Sequence, residues 1–122
     1  MSILVCLDAV RGIPGKIRTI EPILHRIHMD NFIAWFECHL PWAPLDYGPF
    51  YEVDPETMDQ FIEDCRKAVK EKGWFFEEGT DCVEESHSMS VEQYQEALAI
   101  LTRFRAENEE EWESLWFFYS AG

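Results

Sequence analysis

Asp54-Pro55-Glu56-Thr57-Met58-Asp59-Gln60-Phe61-Ile62-Glu63-Asp64-Cys65-Arg66-Lys67-Ala68-Val69-Lys70-Glu71-Lys72-Gly73-Trp74-Phe75-Phe76 is the stretch that decides the fold class. Asp54 is a good helix N-cap, and Pro55 suits the first helical position, where a missing N–H leaves no bond unmade. Glu56 and Asp59 favour the positive end of the helix dipole. Met58, Phe61, Ile62, Cys65 and Val69 recur at helical spacing and form one apolar stripe. Lys67, Lys70 and Lys72 fall in the last turns, and Gly73 stops the helix. Trp74-Phe75-Phe76 follows that stop and is too apolar for a surface loop, so it reads as a strand. An amphipathic helix that delivers the chain straight into a strand belongs to helices packed on a sheet.

Working outward, Ile3, Val5 and Leu7 alternate with Leu4 and Cys6, which predicts a short, well-buried strand over residues 2–9. Residues 11–16 form a loop on their Gly and Pro content. A helix is expected to open at Thr19, with Pro22 in its first turn. Its stripe would be Ile20, Ile23/Leu24, Ile27, Phe32, Trp35 and Phe36, ending before Pro41 and Pro44. Residues 40–50 are irregular, and Tyr51 and Val53 suit a short edge strand. Residues 77–89 read as an acidic loop. A third helix opens at Ser90, with Gln93 completing a capping box and a stripe of Tyr94, Ala97, Leu98, Leu101 and Phe104. Residues 107–114 read as a solvated acidic stretch. Leu115-Trp116-Phe117-Phe118-Tyr119 reads as a closing strand buried on both faces. The expected fold is therefore α+β: a small sheet with about three helices, in one domain over residues 1–122.

The chain has 122 residues, 47% of them hydrophobic and 15% aromatic, and a formal charge of −14. That much apolar content argues for a folded domain despite the charge. The charge is also uneven. Residues 1–50 carry five acids against four bases, whereas residues 51–122 carry nineteen against six. Such a field repels nucleic acid and anionic membrane and steers basic partners inward. No apolar run is long enough for a membrane span. The first eight residues lack a basic region and a long apolar region, so no signal peptide is read there. Cys6, Cys38, Cys65 and Cys82 show no paired spacing and read as reduced, mostly buried thiols of a cytosolic protein.

Catalytic and metal patterns are weak. His25 and His28 share a helical spacing, and with Cys38 and Cys82 or His87 they contain ligand types that zinc accepts, but the spacing fits no standard module. Boundary histidines beside buried thiols are the simpler account, so no metal and no cofactor is expected. Gly12-Ile13-Pro14-Gly15-Lys16 has too few residues between its glycines for a phosphate loop, and Ile17 stands where Ser or Thr is needed. Asp54, Glu56, Asp59, Glu63 and Asp64 offer carboxylates for acid–base work, yet helix capping and a solvated helix face explain them. Cys65 lies in the apolar stripe, as a core thiol would. The Trp74 and Trp116 strands are flanked by acids, which disfavours nucleic-acid stacking. Surplus aromatic surface better suits a protein interface. No enzyme is expected.

Four motifs together resemble a family of small uncharacterised phage and prophage proteins. Tyr51-Glu52-Val53-Asp54 leads into Met58, Phe61-Ile62, Cys65 and Val69. Trp35-Phe36 closes an earlier helix, Gly73-Trp74-Phe75-Phe76 forms a strand, and Trp116-Phe117-Phe118-Tyr119 ends the pattern. They keep the family's order over about residues 29–120. The acidic residues 77–88 and the proline-rich residues 41–49 depart from it. The resemblance implies a phage-encoded protein in a bacterial cytoplasm and carries no known activity.

Three functions follow as expectations, the weakest being a small metalloprotein on His25, His28, Cys38 and Cys82 or His87. In the first, the acidic half docks on a basic surface of a host protein, such as a defence or nucleic-acid-binding protein, and inhibits or modulates it. Glu77, Glu78, Asp81, Glu84, Glu85, Glu107, Glu109, Glu110, Glu111 and Glu113 would carry the contact. In the second, a homo-oligomer sequesters a small anionic ligand, such as a signalling nucleotide, through Arg11, Lys16, Arg18 and Arg26 with Trp35 or Trp42.

Overall fold

The computed structural model describes residues 4–11, 19–27, 30–70 and 91–122. The elements are β1 (Val5–Arg11), β2 (Thr19–Ile27), α1 (Asp30–His39), β3 (Tyr51–Val53), α2 (Pro55–Lys70), α3 (Val91–Glu107), a 3-10 helix (Glu109–Ser114) and β4 (Trp116–Ala121). All four strands pair antiparallel, in the order β2-β1-β4-β3. The fold is α+β, as the sequence predicts.

Strand alternation divides the sheet into two faces. Val5, Leu7 and Ala9 pair with Ala121, Tyr119 and Phe117, and all six are buried. The alternate pairs, Cys6–Ser120, Asp8–Phe118 and Val10–Trp116, point the other way. Trp116 is exposed and Phe118 half-buried. β1 is well buried, as expected, whereas the expectation that β4 is buried on both faces is corrected, because helices cover one face.

That covered face holds the core. Phe32, Trp35 and Phe36 come from α1, and Met58, Phe61, Ile62 and Cys65 from α2. Tyr94, Ala97 and Leu101 come from α3. Phe36 stacks on Tyr119 at 4.3 Å between centroids, and Phe32 meets Phe61 edge-on at 4.9 Å. Trp35 donates its Nε1–H to Asp64 Oδ2 at 2.7 Å, tying α1 to α2. On α2 the N-cap is in place: the Thr57 N–H donates to Asp54 Oδ1 at 2.7 Å. Ala68 rather than Val69 is fully buried at its end. Ser90, Gly73 and the strand expected at Trp74–Phe76 lie outside the described residues.

The helix expected from Thr19 to Phe36 is corrected. Thr19–Ile27 is a strand, and α1 begins only at Asp30. The pairing explains the misreading. Leu7 faces Leu24 but Asp8 faces Pro22, so Ile23 is an extra residue, and a second irregularity lies between Val5 and Leu7. Such bulges put Ile23 and Leu24 both into the core. The apolar spacing then imitates a helix, although Ile20 is 67% exposed. Pro22 is tolerated because β2 is an edge strand.

Residues 107–114 are not a plain solvated loop. The stretch forms the 3-10 helix, whose Trp112 is buried. Cys38 is disulfide-bonded, while Cys6 and Cys65 are free. This corrects the expectation of four reduced thiols. Cys38 is exposed near the end of α1. Cytosolic placement therefore no longer follows from the cysteines. No helix among the described residues is long and apolar enough to cross a membrane.

Candidate protein-binding surface

The C-terminal end of α3 and the 3-10 helix build a carboxylate-rich turn around one buried ring. Asn108 closes α3: its N–H and its Nδ2 both donate to Phe104 O, at 3.2 and 2.9 Å. The chain then winds through Glu109, Glu110 and Glu111 and drops Trp112 into the core. Trp112 lies 4.7 Å from Phe117 and 6.2 Å from Phe104 between centroids. The Arg105 guanidinium sits 4.5 Å over its ring and also pairs with Asp59 of α2 at 2.9 Å. A cation over an indole face is favourable, more so when partly desolvated. Arg105 thus joins α2, α3 and the turn.

With Trp112 inward, the carboxylates face out. Glu109, Glu110 and Glu113 are exposed, and among the described residues they enter no ion pair. Glu107 is paired with Arg103 at 3.0 Å, and Glu111 with Arg11. The cluster stands at the negative end of the α3 dipole, where acids destabilise a helix and deepen the local potential. Two hollows flank it. One, of about 470 Å³, lies between α2 and α3 beside Asp59, Glu63, Arg66, Arg105 and Glu109. The other, of about 300 Å³, follows residues 106–111. Glu77, Glu78, Asp81, Glu84 and Glu85 lie outside the described residues.

Among the described residues, Arg11, Trp35 and Trp42 of the anion-binding set are not brought together. Arg11 donates to Glu21 at 3.2 Å and to Asn108 Oδ1, and it also pairs with Glu111, so its charge is already met. Trp35 is buried in the core and stacked on His39 at 3.9 Å, which removes it from any ligand pocket. Its indole is apolar enough to join Phe36 and Phe61, and Asp64 satisfies its one donor. Trp42 is exposed, with its Nε1–H on Glu52 O at 3.1 Å, beside edge strand β3, two strands from the β1 that carries Arg11. Lys16 and Arg18 lie outside the described residues, and so does the side chain of Arg26.

The thiol and most carboxylates of α2 are engaged in the fold. Cys65 is buried, and burial pushes its thiol well above the usual range, the neighbouring Asp64 adding to this. Asp59 pairs with Arg105, Glu63 with Arg66, and Asp64 bonds Trp35 and Gln60. The carboxylates expected on a solvated α2 face are thus mostly engaged. No group of three metal-ligating side chains gathers among the described residues. Cys38 is held in a disulfide, and His28, Cys82 and His87 lie outside those residues.

Sequence reasoning missed Trp112 and Arg105. The available signal was a lone tryptophan inside an acidic run, since a large apolar residue there requires an inward turn. No family model, curated protein or solved structure matches the chain. The resemblance to small phage proteins rests on its motifs alone.

Proposed function

We propose that this protein binds another protein through its acidic turn and masks a basic surface there, with no chemistry of its own. The observation that carries this reading is the set of outward carboxylates, Glu109, Glu110 and Glu113, held around the buried Trp112. They are exposed and clustered on a short helix that Arg105 and Arg11 fasten to the sheet and to α2. Rigid placement lowers the ordering cost of binding, and clustered charge speeds encounter with a basic surface. The phage-like motifs favour a host protein as the target, such as one of defence or nucleic-acid binding, and inhibition or modulation as the outcome.

The test is affinity capture from bacterial lysate at low and high salt, with mass spectrometry on both fractions. A basic protein retained at low salt, released at high salt and lost to Glu109→Gln/Glu110→Gln/Glu113→Gln supports the proposal. Capture that ignores both salt and the triple substitution overturns it.

A further inference from the structure

The acidic turn and the Gly48 end of the loop over residues 41–50 sit at opposite ends of β4, while Trp42 is held nearer the middle on Glu52, which pairs with Phe118. The turn precedes Trp116, whereas in the loop the Gly48 N–H donates to Ala121 O at 2.6 Å. At about 3.3 Å per residue, the two ends are separated by roughly 17 Å. The loop therefore forms a separate surface, and its composition is unusual. Trp42, Tyr47 and Phe50 are 53%, 61% and 66% exposed. Three large aromatic side chains on one short loop exceed the scattered exposure a surface normally shows.

The loop is held rather than loose. Leu45 packs on the core, and its N–H donates to Glu37 Oε2 at 2.9 Å. The Asp46 N–H donates to the Tyr51 hydroxyl at 2.8 Å, and the Trp42 indole N–H is fixed on Glu52 O. Gly48 has φ +107°, a conformation that residues with a Cβ avoid, and this lets its N–H reach β4. Aromatic side chains on such a fixed loop lose little entropy on binding, as is usual for interface anchors.

Charge identifies the occupant. From Asp30 to Cys65 the sequence holds nine acids and no lysine or arginine. Asp46 and Glu52 are exposed on and beside the loop. A second copy of this chain would bring the same acids against them, so self-association through this loop is disfavoured. Aromatic faces bordered by carboxylates suit a cation, which gains ring attraction and ion pairing together. We infer that the 41–50 loop recognises an arginine- or lysine-rich segment of a partner protein. This inference shares the basic partner with the function proposed above, but not the surface.

Calorimetric titration with a short peptide of alternating arginine and glycine tests it, against the same peptide with citrulline for arginine. Tyr47→Ala/Phe50→Ala removes two exposed rings that make no hydrogen bond among the described residues. It should weaken the arginine peptide by about tenfold or more. The Glu109→Gln/Glu110→Gln/Glu113→Gln variant should change it by less than about twofold, because those carboxylates are beyond a Debye length at ordinary salt. The citrulline peptide should bind far more weakly. Equal binding of both peptides, no binding of either, or an unaffected Tyr47→Ala/Phe50→Ala variant overturns the inference. If only the glutamine variant loses the arginine peptide, the site is the acidic turn: the loop inference fails and the proposed function stands.

Discussion

A buried hydroxyl sets one chemical limit on this fold. Tyr94 accepts a hydrogen bond from Asn31 Nδ2 at 2.8 Å, and burial pushes its phenol from the usual 10 up to about 12. A raised phenol favours the neutral form in the folded state. The associated stability is complete below the usual value and is lost as pH rises from 10 through about 12. Tyr94→Phe should flatten this alkaline loss. At neutral pH it should cost roughly 1–3 kcal/mol, by leaving Asn31 buried without its partner. Urea titrations at neutral pH and within the alkaline interval check both outcomes. Asp8 makes the complementary case on the sheet face away from the helices. Desolvation raises its carboxyl above the usual range, and His25 only partly opposes this. A carboxyl raised in the folded state contributes fully in acid and loses that contribution as pH rises through its folded value. Asp8→Asn should therefore raise the melting temperature at neutral pH, and the gain should vanish in acid. A melting temperature unchanged at neutral pH would count against this account of Asp8.

Among the elements, α2 was legible from sequence because its signals agree. Asp54 caps it, Pro55 begins it, and Met58, Phe61, Ile62 and Cys65 are buried as their spacing requires. Asp54→Ala should cost about 1 kcal/mol, measured by chemical denaturation. β2 was illegible because its irregular pairing with β1 lets Ile23 and Leu24 share one face, and a period-based reading takes that pattern for a helix. The 3-10 helix was hidden for a different reason. Its acids are local and visible, but the contact that shapes it, Arg105 over Trp112, depends on how α3 returns to the sheet. Trp112→Ala should cost roughly 3–5 kcal/mol, as large core truncations do. The same denaturation series should find Glu110→Gln neutral or slightly stabilising, because it removes an acid from the negative end of α3.

For the whole molecule, charge was the most readable property and its local use the least. Counting residues locates the acidic half. It cannot reveal that Arg11 and Arg103 occupy Glu111 and Glu107 while Glu109, Glu110 and Glu113 face outward. It also could not reveal that Arg11, read as an anion ligand, serves the protein's own acids. At −14, self-repulsion opposes the compact state. Moderate sodium chloride should raise the melting temperature by scanning calorimetry, and the triple glutamine variant should show less of this salt effect. The strand order has its own consequence for how the chain is made. β1 and β4 are neighbours at the centre of the sheet, with Val5 opposite Ala121. During synthesis β1 emerges early and waits for β4. At about 5–20 residues per second, the intervening hundred or so residues take on the order of ten seconds. Through that interval β1 has one flank without its final neighbour, and ribosomes translating the same message hold several such chains close together. The acids that follow residue 50 give each nascent chain a like charge, and that charge opposes contact with its siblings before β4 arrives.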